Sequence, residues 1–243
     1  MITGTPERLY LMQLGTTTLP TPRGPLLLSN GCYLIRMSSG GHILIDSGTP
    51  ADYTPAPGTP PTENESNVLA QLAALGLTPA DISAVICTHF DIDHAGYLDS
   101  FPDAAFIVQR AHMERAKSGD ARLAAARAHW DHPALHYRLV DGDTELAPGL
   151  TLLETSGHVA GHQSVLVRLP ESGPTLLAID AVVLGRFFTP DRPAWPMDAD
   201  AEQTRASTRK LLAVAEWEQV GLVVFHHDGE QWATLRKSPE WYG

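Results

Sequence analysis

The chain has 243 residues, 43% hydrophobic and 19% charged, which is enough for one sizeable α/β core and too apolar for a disordered chain. A formal net charge of −11 without any Lys/Arg cluster excludes a nucleic-acid partner, and no window reaches the length of a membrane span. Cys32 and Cys87 sit among apolar neighbours outside any C-x-x-C pair, so buried thiols in a reducing cytoplasm are expected rather than disulfides.

The N-terminus, with Glu7, Arg8 and several prolines, lacks the apolar core of a signal peptide. Alternation punctuated by glycine predicts strands over 8–14, 32–37 and 42–46. Residues 49–64 carry Pro50, Pro55, Pro57, Pro60 and Pro61 without periodicity, and a loop of this length is expected to act as a lid or a surface excursion. A helix is predicted over 66–75, with Val68, Leu69, Leu72 and Leu75 on one stripe and Gly76 as its stop. Thr78-Pro79-Ala80-Asp81 signals a short helical turn, and a buried strand follows over 84–87. The Ala-rich, charged run 111–129 reads as helix, with His112, His129, His132 and His136 as surface histidines. Strands are expected over 150–154, 164–169 and 175–179. A helix over 201–216 with Thr204, Leu211, Leu212 and Ala215 inward, and a last strand over 222–225, complete one domain spanning 1–243.

Chemistry concentrates at the ends of these strands. Thr88-His89-Phe90-Asp91-Ile92-Asp93-His94 packs four metal-competent side chains into six residues, and His158, Asp180 and His227 follow later apolar runs. In an extended segment, side chains two apart share a face, so His89, Asp91 and Asp93 are expected to converge while His94 closes the corner. Imidazole and carboxylate suit zinc, iron or manganese. Seven such ligands are too many for one ion, but two ions sharing one carboxylate would use them all and would activate water. Asp180 ends the buried run Leu176-Leu177-Ala178-Ile179, where a lone carboxylate is costly and a cation partner removes the cost.

The ordered set resembles the H-x-H-x-D-H…H…D…H signature of the metallo-β-lactamase superfamily, and among its members the N-acyl-homoserine lactonases. Leu44-Ile45-Asp46-Ser47-Gly48, Asp93-His94-Ala95-Gly96, Ile107-Val108-Gln109-Arg110, Gly157-His158-Val159-Ala160-Gly161-His162-Gln163-Ser164 and Phe225-His226-His227-Asp228 read alike, so the likeness spans almost the whole chain. The resemblance implies an αββα sandwich of two mixed sheets flanked by helices, and two divalent ions, zinc before iron or manganese. It places His89, Asp91, His158 and Asp180 around the first ion, and Asp93, His94, His227 and Asp180 around the second. It implies a quorum-quenching hydrolase that opens a lactone or a related ester by attack of a bridging hydroxide, with Asp93 passing a proton to the leaving alkoxide. Asp46, His162 and Asp228 would orient ligands. His227 rather than His226 is the implied ligand, with His226 near the mouth of the site. The resemblance admits a homodimer.

Two positions depart from the lactonase pattern. Asp91 stands where the signature has its second histidine, and Val183 stands where lactonases carry a tyrosine that contacts the substrate carbonyl. Alternatives are a thioesterase similar to glyoxalase II, although the 17 Lys+Arg are scattered rather than gathered for glutathione, a diiron redox protein, or a non-catalytic metal-binding protein.

Overall fold

Alternation along β1 (Pro6–Thr21) sends Leu9 and Leu11 to one face and Tyr10, Met12 and Leu14 to the other, and all five are buried. A strand buried on both faces belongs inside a layered fold. In the computed structural model, which describes residues 2–22, 24–55, 58–60 and 62–243, it lies in a seven-stranded sheet. That sheet also holds β2 (Gly24–Met37), β3 (His42–Ile45), β4 (Thr62–Asn64), β5 (Ile82–Ile86), β6 (Ala105–Gln109) and β7 (His136–Val140). Its order is β4-β1-β2-β3-β5-β6-β7, antiparallel as far as β3 and parallel from β3 to β7. The second sheet runs from β8 (Thr144–Ala147) through β9 (Leu150–Glu154), β10 (Gln163–Leu169) and β11 (Gly173–Ile179) to β12 (Leu222–Phe225). Only its β11–β12 pair is parallel.

Leu9, Leu11, Tyr33 and Ile35 from the first sheet meet Leu152, Val165, Val167 and Leu177 from the second in the central core. The outer face of the first sheet packs on α1 (Val68–Ala74), α2 (Ile92–Ala95), α3 (Arg110–Lys117) and α4 (Arg127–Trp130). The second sheet packs on α5 (Ala201–Trp217), and α6 (Gly229–Trp232) follows β12. This is the expected αββα sandwich of mixed sheets.

The helical run expected over 111–129 is broken. Ser118 caps α3 and Gly119 takes φ +87°, after which a 3-10 turn (Ala121–Ala124) and α4 point the chain back toward the sheets. Strands β6 to β8 fall where no strand is predicted from sequence. The buried face of α5 is Thr204, Ser207, Thr208 and Leu211: the three hydroxyls bond carbonyls of the helix, of its cap and of the loop beneath it, and Leu211 packs on the second sheet. Cys32 and Cys87 are buried free thiols, as expected. In the proline-rich loop, Ala56, Pro57 and Pro61 lie outside the described residues. No described helix is long and apolar enough to cross a membrane.

Candidate metal centre

Five strand ends meet at one rim of the sandwich. Asp46 follows β3, the His89–His94 segment follows β5, His158 follows β9, Asp180 follows β11 and His227 follows β12. Two of these turns are strained. Asp46 has φ +59° and the β-branched Ile179 has φ +51°, a conformation that costs about 1–3 kcal/mol and survives only where the surroundings fix it. Gly157 has φ +134°, and a Cβ there would stand 2.2 Å from Thr204 N, so glycine alone lets the His158 loop lie against the first turn of α5.

The motif is extended only as far as Asp91. Asp91 caps α2, and His94 N and Ala95 N both donate to its carbonyl at 3.0 Å. His89 Nε2 and Asp91 Oδ2 do converge, 3.4 Å apart, by alternation. Asp93 instead reaches the site from a helical turn, which corrects the extended reading, because the carbonyl of Asp91 is used to start a helix. Phe90, pointing the other way, is fully buried and stacks on Trp130 at 5.1 Å with 2° between planes, which anchors the motif in the core. Such a pair adds about 0.5–1.5 kcal/mol beyond burial.

Hydrogen bonds decide which imidazole nitrogens face the site. Thr88 Oγ1 donates to Asp46 Oδ2, so it accepts from His89 Nδ1 at 3.0 Å. His94 Nδ1 donates to Asp46 Oδ2 at 2.8 Å, and His227 Nδ1 donates to the carbonyl of Ser29 at 2.8 Å. With each Nδ1 carrying the proton, the Nε2 lone pairs of His89, His94 and His227 are left for another partner. His158 Nδ1 faces Asp198 Oδ1 at 3.8 Å, leaving its Nε2 inward too.

Those atoms form a ring around the Asp180 carboxylate. His158 Nε2 is 3.3 Å and His227 Nε2 3.1 Å from Asp180 Oδ2, while His94 Nε2 is 3.5 Å from Oδ1. Asp91 Oδ2 is 3.3 Å from His158 Nε2, and Asp93 Oδ2 is 3.6 Å from His227 Nε2. Tetrahedral ligand atoms around an ion bound at ~2.0–2.1 Å stand about 3.3 Å apart. The donors of this chain have that spacing. His89 Nε2, His94 Nε2 and Asp180 Oδ1 are buried with no hydrogen bond, a cost that one or two cations would relieve. All seven expected ligands are thus brought together, and the residues present fit a pair of divalent ions.

The metal-free electrostatics show the same crowding. Burial alone would lower the histidines, but Asp180, Asp93 and Asp46 outweigh it at His94, which is pushed up to about 10. Asp180, Asp198 and Asp91 do the same at His158, which is raised to about 9. His89 goes the other way: burial and the neighbouring His94 hold it well below the usual imidazole range. Burial opposes ionisation of Asp91 and Asp180, yet their imidazole partners, with Arg122 added at Asp91, hold both well below the usual carboxylate range.

A profile of the metallo-β-lactamase superfamily matches residues 27–228. The chain belongs to the metallo-β-lactamase superfamily. Within that superfamily it groups with the N-acyl homoserine lactonases. It is 33% identical to N-acyl homoserine lactonase AttM of Rhizobium radiobacter, an alignment covering 97% of this chain and 98% of the relative. A variant of AiiA from Bacillus thuringiensis, solved with N-decanoyl-L-homoserine bound at its active site, superposes with a TM-score of 0.86 at 31% identity, covering 98% of this chain and 100% of that one. An N-acyl homoserine lactone hydrolase with the product N-hexanoyl-L-homoserine at its catalytic metal centre gives 0.85 at 31% identity, with coverage of 98% and 100%.

Against the pattern expected for this superfamily, several residues need correction. His226 is not at the mouth: it is fully buried, its Nδ1 is 3.0 Å from Tyr33 Oη, and its ring lies 4.4 Å behind that of His94. Asp228 does not orient a ligand, because its two oxygens accept from the backbone N–H groups of Gly185 and Gln231. His112 is not on the surface. It is fully buried, accepting from Phe90 N at Nε2 and donating from Nδ1 to the carbonyl of Ala160. Asp46 does hold His94, and His162 accepts from the backbone N–H of Asp180 at 3.2 Å.

Two contributors escape sequence reasoning. Asp198, pinned by Arg192 at 2.5 Å and Trp195 N at 2.8 Å, faces His158 from an aperiodic loop. Arg122, on the 3-10 turn after α3, reaches the site and bonds Asp91. The extra carboxylate at position 91 is the available signal, since a third carboxylate in the ligand set calls for a counter-charge.

Proposed function

We propose that residues 1–243 act as one dinuclear metal-dependent hydrolase that opens the ring of an N-acyl homoserine lactone. The observation that carries this reading is the ring of Nε2 and carboxylate atoms around Asp180, with ligand-like spacing and with His89 Nε2, His94 Nε2 and Asp180 Oδ1 buried without a hydrogen bond. His89, Asp91, His158 and Asp180 would hold the first ion; Asp93, His94, His227 and Asp180 would hold the second. When bound, two such cations supply acidified water and Lewis acidity toward a carbonyl.

The protein's own groups do the rest. A cavity of about 400 Å³ opens over the site, with Asp93, Asp180 and His227 on its floor and Leu19, Leu28, Trp195 and Met197 on its wall. That apolar wall takes the acyl chain, while the polar floor takes the ring ester. The Asp93 side chain is 30% exposed against 5% for Asp180, so it is the carboxylate placed to carry a proton to the leaving alkoxide. Val183 is fully buried among Leu28 and Leu184 and offers no phenol, so among this chain's own groups the cavity wall is left to position the carbonyl. Tyr53, Thr59 and Pro60 line openings over the site, which supports the proline-rich loop as a lid. We place the enzyme in the cytoplasm, as a monomer or homodimer.

Elemental analysis of reconstituted protein, run beside a panel of lactones, carboxylic esters and thioesters, tests the reading. Two ions per chain and preferential lactone turnover are expected. One ion per chain, or turnover confined to thioesters, would contradict it.

A further inference from the structure

Four of the five N–H groups of Arg122 are spent on acceptors around the first site. Nε donates to Asp91 Oδ1 at 2.8 Å and Nη2 to Asp91 Oδ2 at 2.5 Å, while Nη1 donates to the carbonyls of His158 at 3.1 Å and Met197 at 2.6 Å. The remaining Nη2 contact, 2.6 Å to His158 Nε2, is one that the first ion would replace. Asp91 Oδ2 is also the oxygen that approaches His89 and His158. The arginine is built in rather than draped over the surface. Its side chain is 20% exposed, its own N–H is capped by Asp120 at 3.0 Å, and Asp120 is held by Arg115 at 2.6 Å.

The charge balance gives this contact a purpose. The ligand set carries three carboxylates, Asp91, Asp93 and Asp180, and one touching guanidinium, so its formal charge is −3 + 1 = −2. A histidine at 91 without the arginine would give the same total. We propose that Asp91 and Arg122 work as one electroneutral ligand unit of the first site, with Arg122 a positioning residue that aims Asp91 Oδ2 and cancels the charge a carboxylate adds. The planar fork is needed for this; a lysine is a point charge and cannot serve a carboxylate and two carbonyls together. The inference rests on the dinuclear reading above.

The consequence is a reversal of sign. Asp91→His, although it restores the residue of the superfamily pattern, leaves an uncompensated guanidinium beside a cation site and weakens it. Arg122→Gln frees Asp91 and weakens it as well. The double variant Asp91→His/Arg122→Gln recovers.

The test is zinc titration of metal-stripped protein against a chromophoric chelator, with cobalt(II) absorption as a second measure of the first site. Each single variant is expected to lose about 10- to 100-fold in affinity for one of two ions, and the double variant to return to within a few-fold of wild type. Melting curves of the metal-free variants separate ligand effects from misfolding, and Arg122→Lys, which keeps the charge, is expected to stay weak. Single variants of wild-type affinity, or losses that simply add in the double variant, overturn the pair. Fewer than two ions on the wild type overturns the dinuclear reading, and the pair with it.

Discussion

Asp46→Asn changes one oxygen to nitrogen at a fully buried position and should disable the second ion site or the fold around it. Asp46 Oδ1 accepts from Thr88 N at 2.8 Å; Oδ2 accepts from Thr88 Oγ1 at 2.7 Å and from His94 Nδ1 at 2.8 Å. Asparagine has one acceptor oxygen for these two places. If its amide nitrogen replaces Oδ2, it confronts His94 Nδ1, which must give up its proton and become an acceptor. The proton then sits on Nε2, the nitrogen 3.5 Å from Asp180 Oδ1, and a protonated nitrogen cannot bind a metal. Losing an orienting partner of this kind costs about 10- to 100-fold in metal affinity. If the amide nitrogen replaces Oδ1 instead, it faces the backbone N–H of Thr88, which cannot turn away. A buried donor left unpaired costs about 1–3 kcal/mol. Zinc affinity by chelator competition and metal-free stability by urea unfolding read the two outcomes. An Asp46→Asn protein matching wild type in both would refute this assignment of protons.

Asp180→Ala removes the carboxylate shared by His94, His158 and His227, so both zinc occupancy and lactone turnover should be lost while far-UV circular dichroism is kept; turnover with two ions bound would deny Asp180 the bridging place. Gly157→Ala should cost about 1–3 kcal/mol in backbone strain and about as much again in overpacking against Thr204, read as a lowered urea midpoint; an unchanged midpoint would mean the loop can shift freely. Metal-free protein should lose stability, relative to zinc-loaded protein, as pH climbs from about 7 to 10. Histidines raised on folding contribute stability that is fully present below the unfolded pKa of about 6.5. That stability is lost as pH rises through the folded values, about 9 for His158 and about 10 for His94, whereas bound zinc takes the place of those protons. Parallel melting profiles of the two forms across that range would refute the assignment.

The second sheet is legible from β9 to β12, and the bounds predicted for β9 and β12, short apolar runs with sharp ends, match those observed. The ligands were legible because each ends such a run. Strands β6 to β8 were not: β7 alternates exposed His136 and Arg138 with half-buried Tyr137 and Leu139, a sheet-edge pattern with little apolar signal. The motif turn is ambiguous in the sequence, because His89, Asp91 and Asp93 are close enough along the chain to converge through alternation or through a helical turn. Only the capping of α2 by Asp91 separates the two. Buried His112 and His226 looked like spare histidines, since what hides them comes from distant residues, Phe90 and Ala160 for one, Tyr33 for the other. Arg122 was invisible for the same reason, 31 residues from Asp91.

The central claim, that paired ions held around Asp180 open a lactone, is tested most directly by pH-stat titration of acid release from N-hexanoyl homoserine lactone while zinc is added to metal-stripped protein. Acid release should rise to a plateau at two equivalents of zinc per chain, one carboxylic acid formed per ring opened. A plateau at one equivalent, or two bound zinc ions with no acid released, would contradict it.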